Sequence, residues 1–403
     1  MSIAQGISKI TVFKKQTGLG VAASGTGGQI MRREKGEFKL DKDTFENNEI
    51  VQHQQSTGAI HGTRKVTGSL SGVVSPNTYS TLIASLLRKA FTATAAITGL
   101  SITLGGTAGA YTLTTTGLLT GGLKIGDVIR VTAGTGLNAD VLNKNLLITE
   151  LTATVATVTV VNASTMTTGS GTACTISVPG KKSLAPLTGH TTEYWSVEEW
   201  YSDLGKSELF TDVQPSSIDI GLPSTGNATF SASFVGLDRA LANAQVLTTP
   251  TAATTTAVQT AVSGAILVAG VEVASVSAAS VKIDGKVTAL GAVIGSNKSP
   301  DTQRGRISVS GSITAYFENS ILQGYFEAGT PINIVIVAAN DETAASDFCA
   351  FNMSAVKLSS DSGDDGEKGI MRTYNFTAEM NSAGGAALAN DMTIISVQDS
   401  QAA

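Results

Sequence analysis

Two stretches of this chain, more than two hundred residues apart, carry the same strand. The first reads Arg64-Lys65-Val66-Thr67-Gly68-Ser69-Leu70-Ser71, the second Arg306-Ile307-Ser308-Val309-Ser310-Gly311-Ser312-Ile313-Thr314. Val66, Gly68 and Leu70 match Val309, Gly311 and Ile313, while Thr67, Ser69 and Ser71 match Ser310, Ser312 and Thr314. Side chains alternate between the two faces of a strand. Both copies therefore set a continuous hydroxyl face against an apolar one. The elements that follow recur in the same order, so the chain is expected to fold as two tandem β units.

Composition supports this. Charged residues are 15 % and aromatics 5 % of the chain, whereas Gly, Ala, Ser and Thr abound. That balance fits short strands and tight turns better than long helices. At 403 residues there is room for two or three domains. A net charge of -5 gives no electrostatic footprint for holding nucleic acid, which needs clustered Lys and Arg. The opening residues Met1 to Gly6 lack a basic run followed by an apolar one, so no secretory signal is expected. The most apolar stretch, 261–281, is interrupted by Gly, Ser and Glu272 and is not expected to span a membrane. Cys174 and Cys349 are read as free thiols.

Residues 1–30 read as an extended arm with a short strand at 9–15. Segment 32–49 is dense in charge of both signs, which suits either a solvated hairpin or a surface that meets a complementary one. Ser75-Pro76 is a helix-start signal, and Tyr79, Leu82, Ile83, Leu86, Leu87 and Ala90 make an apolar stripe behind it. From 92 to 186 the chain is almost all Thr, Ala, Gly, Leu and Val, with strands expected at 101–104, 111–114, 127–131, 146–151 and 156–161. This reads as an inserted β-sandwich or small barrel. The interrupted unit resumes at 193–201 and closes with a hairpin, in which Ile218, Ile220 and Leu222 face Phe230, Ala232 and Phe234.

The second copy is expected as a strand at 306–316, a helix at 317–323 that is much shorter than the first, and strands at 331–338, 351–358 and 371–380. Val356 and Leu358 are matched to Ile218 and Ile220, and Tyr374, Phe376 and Ala378 to Phe230, Ala232 and Phe234. The tail past Met392 is expected to be loose. The resulting fold class is mainly β with α+β units. The first unit covers 1–91 and 187–246, the insertion 92–186, and the linker with the second unit 247–403.

No motif points to catalysis. The string Gly18-Leu19-Gly20-Val21-Ala22-Ala23 is followed by more glycine rather than by a helix, so it does not make a dinucleotide site. His53, His61 and His190 fall in no metal-ligand spacing. The acidic run 361–367 lacks the ligand spacing of a calcium loop and reads as a turn. Trp195 and Trp200 point to opposite faces of one strand, one to the core and one to a subunit interface. No enzyme, cofactor or metal is expected.

The motifs Gln29-Ile30-Met31-Arg32-Arg33, Glu49-Ile50-Val51-Gln52-His53-Gln54-Gln55, His61-Gly62-Thr63-Arg64 and Ser75-Pro76-Asn77-Thr78-Tyr79 resemble the tail tube proteins of long-tailed, siphovirus-type bacteriophages. So do Ser217-Ile218-Asp219-Ile220 and Thr229-Phe230-Ser231-Ala232-Ser233-Phe234. The resemblance implies a structural virion protein whose β units close an inner barrel, with rings stacked into a hollow tail tube that delivers DNA. Two units per chain imply a homotrimeric ring of pseudo-sixfold symmetry, favoured over a hexamer. It further implies self-assembly in the host cytoplasm, contacts with tape measure, tail terminator and distal tail proteins, and passage of DNA without specific binding. No membrane is involved, and the inserted domain lies outside the tube.

On that expectation Thr67, Ser69, Ser71, Asp219, Thr229, Ser231 and Ser233 face the bore, joined by Ser308, Ser310, Ser312, Thr314, Asn375, Thr377 and Glu379 from the second unit. Arg32, Arg33, Asp41, Asp43, Glu46 and Glu49 make contacts between rings. The competing reading is a secreted or surface β-sandwich, an adhesin or pilus-like subunit, which Thr/Ala/Gly-rich sequences also serve.

Overall fold

The computed structural model describes residues 3–50, 52, 53, 55, 58–161, 164–273, 275–341, 345–364, 367 and 369–402. The fold is mainly β. Strands β1 (Lys9–Lys15), β2 (Lys35–Glu46) and β3 (Ala59–Val73) precede helix α1 (Ser80–Leu87). After the insertion come β4 (Trp195–Tyr201), β5 (Lys206–Pro223), β6 (Thr229–Gly236) and β7 (Asp238–Ala242). The series then repeats as β8 (Thr260–Val268), β9 (Val276–Asp284), β10 (Ser308–Tyr316), α2 (Ile321–Ala328), β11 (Ile332–Ala339), β12 (Phe348–Gly363), β13 (Met371–Ala378) and β14 (Ser396–Asp399).

The two units agree in register as well as in order. Gly36–Leu70, Phe38–Gly68 and Leu40–Val66 between β2 and β3 recur as Ala279–Ile313, Val281–Gly311 and Ile283–Val309 between β9 and β10. Gly68–Phe234 recurs as Gly311–Phe376. Even the bulges coincide, between Pro215 and Ser217 in β5 and between Leu358 and Ser360 in β12. This corrects the sequence matching. Phe234 is equivalent to Phe376, not Ala378, and Ile218 to Asp361, not Val356. The first is a slip of two residues, which keeps every side chain on its face, so a period-two pattern alone does not detect it; the second is a slip of four on the partner strand, which the bulge between Leu358 and Ser360 makes five on β12.

The helices also differ from expectation. Both have eight residues, and each ends on a left-handed residue, Arg88 or Gly329. Ser75-Pro76 does not start α1, because Asn77 has φ 61° and turns the chain before Ser80. The run past Met392 is not loose. It forms β14, whose Asp399 carboxylate accepts from the Ser80 hydroxyl at 2.5 Å and the Asn77 N–H at 2.7 Å. Burial pushes that carboxyl above its ordinary pKa, against these donors. The acidic run expected as a turn at 361–367 instead begins as the continuation of β12 through Gly363; Asp365 and Gly366 lie outside the described residues.

Between α1 and β4, six strands spanning 97–177 close into a barrel around Ile102, Leu113, Ile129, Ile148 and Val158. The sixth, Gly169–Ser177, was not anticipated; its glycines and threonines hide the alternation. Cys174 is buried here and Cys349 in the second unit, both as free thiols. The barrel is docked rather than tethered. Val128 and Leu147 pack with Leu267, Val335, Val337 and Phe348, on the outer face of β8, β11 and β12.

The joint is locked by charge. Lys182 bonds Asp127 at 2.8 Å and Asp391 at 3.0 Å. Burial pushes the Asp127 carboxyl up, partly offset by the Lys182 ammonium. Burial also opposes the Lys182 charge, but the two carboxylates hold its pKa above the ordinary lysine value. Lys182→Ala strands Asp127 in the interior and is expected to destabilise the chain by about 3–5 kcal/mol. Lys182→Ala with Asp127→Asn should recover much of that loss. Urea midpoints of the two variants check this; equal losses would mean that the ion pair does not hold the joint.

Candidate functional site

One antiparallel sheet runs through both units in the order β2–β3–β6–β5–β9–β10–β13–β12. The units join at β5 and β9, which pair from Ser217–Asp284 to Pro223–Ala278. On one face Phe38, Phe230, Phe234, Ile218, Val281, Ile313 and Phe376 are buried in a common core with the helices. Phe38 lies 5.4 Å from Phe234, ring to ring, across Gly68, where a Cβ would meet the Phe38 ring at 2.3 Å. Glycine is needed at that point because two aromatic rings close over the strand. Tyr79 stacks on Phe230 at 3.8 Å and donates to the Arg32 carbonyl at 2.9 Å; burial pushes its hydroxyl up to about 12.

The opposite face carries every hydroxyl and acidic residue that the sequence assigned to one side. Ser69 lies opposite Ser233, Ser71 opposite Ser231, and Asp219 between Ser231 and Lys282. Thr229 and Ser308 continue these rows beside Gly221 and Asp284. Ser310 faces Thr377 and Ser312 faces Asn375. Ser312 and Ser280 hydroxyls bond at 2.9 Å, as do those of Thr314 and Thr373. Thr67 donates to Asp41 at 3.4 Å.

Sequence reading missed the lysines on this face. Lys39, Lys282 and Lys357 stand there, each beside a carboxylate: Asp41 at 3.5 Å, Asp219 at 3.7 Å and Glu379 at 3.2 Å. Lys35 and Glu37 belong to the same rows through Ser71 and Ser69. The alternation Lys35, Glu37, Lys39, Asp41 was available as a signal, but it was absorbed into the charge run. Lys282 was hidden because β9 was not anticipated in an Ala/Ser-rich stretch.

The remaining predicted residues divide. Arg32 donates to Ser75 Oγ at 3.2 Å and to the Thr256 carbonyl at 2.7 Å. Arg33 donates to the Lys9 carbonyl. Both guanidinium groups are thus engaged within the chain. Asp41 belongs to the polar face. Asp43 and Glu46 sit at the end of β2, which pairs with β3 as far as Glu46–Ala59, and Glu49 follows it; Phe45, Ile50 and Ile60 are exposed there. His53 and His61 are exposed in the same stretch. Trp195 is in the core and donates to Ser85 Oγ at 3.2 Å, while Trp200 is half-buried.

Among the described residues the sheet ends on two unpaired edges. One is β2; the other is the last part of β12, from Lys357 to Gly363, which pairs only with β13. Among the same residues, no group of three or more His, Cys, Asp or Glu side chains could hold a metal ion.

A sheet with a core on one face, hydroxyls and paired charges on the other and two unpaired edges fits a protein that assembles with copies of itself. Comparison with protein families matches residues 8–378 to the family described as phage tail tube protein, and the chain belongs to that family. It is thus a structural component of a bacteriophage tail, and the family is not one of enzymes. No curated protein matches the chain.

Proposed function

We propose that three copies close the eight-stranded sheet into a ring, that rings stack into the tail tube, and that DNA passes through the bore. One observation carries this: the joint between units inside the chain is made by the same strand pair that lies open at its ends. Within the chain β5 pairs β9, with Ser217 opposite Asp284 and Asp219 opposite Lys282. By the register of the repeat, β12 is the counterpart of β5, and β2 that of β9. The same joint between chains sets Ser360 opposite Asp41 and Ser362 opposite Lys39. Three sheets joined in this way give a barrel of ~24 strands without an edge, the form in which strand edges stop being sites of uncontrolled pairing.

The polar face then lines the bore. Hydroxyls, and the lysines Lys39, Lys282 and Lys357, each paired with a carboxylate, offer phosphates little net attraction, so DNA is not held. The inserted barrel covers the outer layer and lies on the exterior. Two tips in each chain, Ile50 between β2 and β3 and Ile294 in the equivalent connection between β9 and β10, are fully exposed. A ring of three presents six such tips to the next ring, with Asp43, Glu46 and Glu49 beside three of them. Tape measure, tail terminator and distal tail proteins are the tube's further partners in the tail. Assembly takes place in the host cytoplasm.

Single cysteines at Ser69, Ser231 and Ser312 test the lining. A bulky maleimide should label the isolated chain rapidly and sealed tubes at least about tenfold more slowly; equal rates would place this face outside. The stacking role is tested by Ile50→Asp with Ile294→Asp. Rings should persist in negative stain while tubes disappear, and tubes of normal length would remove the tips from the interface.

A further inference from the structure

The joint inside the chain also sets contacts in the outer layer. Beside β5 and β9, Phe351 of β12 and Val397 of β14 are buried, sharing a small cavity with Val74, Tyr79 and Phe230 of the first unit. The first unit carries counterparts of these two side chains. The pairing of Glu208 with Leu241 between β5 and β7 occupies the place of Phe351 with Val397 between β12 and β14. Leu241 is 70 % exposed.

The second unit carries the counterpart of the seat. A groove of about 340 Å³ runs beside α2, lined by Phe317, Ile321, Leu322, Tyr325 and Arg372. Phe317 stands where Val74 does and Arg372 where Phe230 does, by the pairing of Arg372 with Ala315 and Phe230 with Gly72. Helix α1 buries Leu82, Ile83, Leu86 and Leu87, but no residue of α2 is buried, and Ile321 is 60 % exposed.

We propose that this groove is the seat for Leu241 of a second copy, the next chain round the ring, with Glu208 of that copy facing Arg372. The inference rests on the ring reading above. Charge supports the choice of occupant. Arg372 is bonded to Asp361 at 2.5 Å and lies 4.9 Å over the Phe317 ring, yet its Nε is buried with no acceptor among the described residues. Glu208, whose Oε2 already holds Arg239 of its own chain at 3.0 Å, brings its other carboxylate oxygen to it. Two aromatic rings at the internal joint, Phe351 and Phe230, thus become a carboxylate and a guanidinium between chains. The exchange makes the two joints chemically distinct, so a first unit docks on a second unit of another chain and not on another first unit.

The test uses the full chain. Leu241 and Ile321 are exposed in the single chain, so Leu241→Asp and Ile321→Asp should leave circular dichroism and melting unchanged. Each should raise the concentration needed for rings and tubes by at least about tenfold, read by sedimentation and negative stain. Leu241→Cys combined with Phe317→Cys should cross-link chain to chain with a short bismaleimide, up to a trimer, and neither single variant should. Wild-type assembly with normal assembly of both Asp variants and no cross-link overturns the seat and leaves the ring reading intact. A wild-type chain that stays single under all assembly conditions overturns both.

Discussion

The β5–β9 joint is the interaction on which the rest of this molecule depends. A strand edge presents a row of unpaired amide and carbonyl groups, and each unit of this protein has two such edges. Joining the units in one chain satisfies one pair permanently, from Ser217–Asp284 to Pro223–Ala278. It also fixes the register of one unit on the other before any partner arrives. The edges that remain, on β2 and β12, are counterparts of the joined ones in register, and β12 also shares the bulge position of β5. The chain thus contains once, at β5–β9, the kind of pairing proposed for them.

The duplicated units keep the sheet and have diverged around it. In the first unit the outer face of β4 carries Glu198, whose carboxylate accepts from the Ser207 hydroxyl at 2.5 Å and from the Val246 and Leu247 amides at 2.6 and 2.8 Å. In the second unit the same place on β11 is taken by Val335, and an apolar patch results that the inserted barrel covers. A buried carboxylate held by three donors and a hydrophobic dock are two solutions to covering the same strand. The insertion in one unit thus compensates for the composition of the other.

The sequence made the faces legible and the registers not. The alternation Thr67, Ser69, Ser71 against Val66, Leu70 follows from the period of a strand, and the same holds for Ser310, Ser312, Thr314. No local signal distinguishes Phe376 from Ala378 as the counterpart of Phe234, because both lie on the core face; only the pairing with Gly311 decides it. Strand β9 was lost in an Ala/Ser-rich stretch, and with it Lys282 and the joint itself. Strand β14 was invisible because a short C-terminal strand is ordered by tertiary contacts, here Asp399 on α1. Arg32 and Arg33 show the limit of reading a charge run as one surface: their guanidinium groups bond to carbonyls of the same chain, while the acids beyond them stand in solvent.

The central claim is that two equivalent units per chain make a ring from three chains. Electron cryomicroscopy of tubes assembled from the purified chain tests it most directly, because strands of the inner wall can be counted. The account predicts ~24 strands with threefold symmetry, β12 of each chain pairing with β2 of the next. A ring of six chains, or an inner wall in which β2 and the end of β12 remain unpaired, would contradict it.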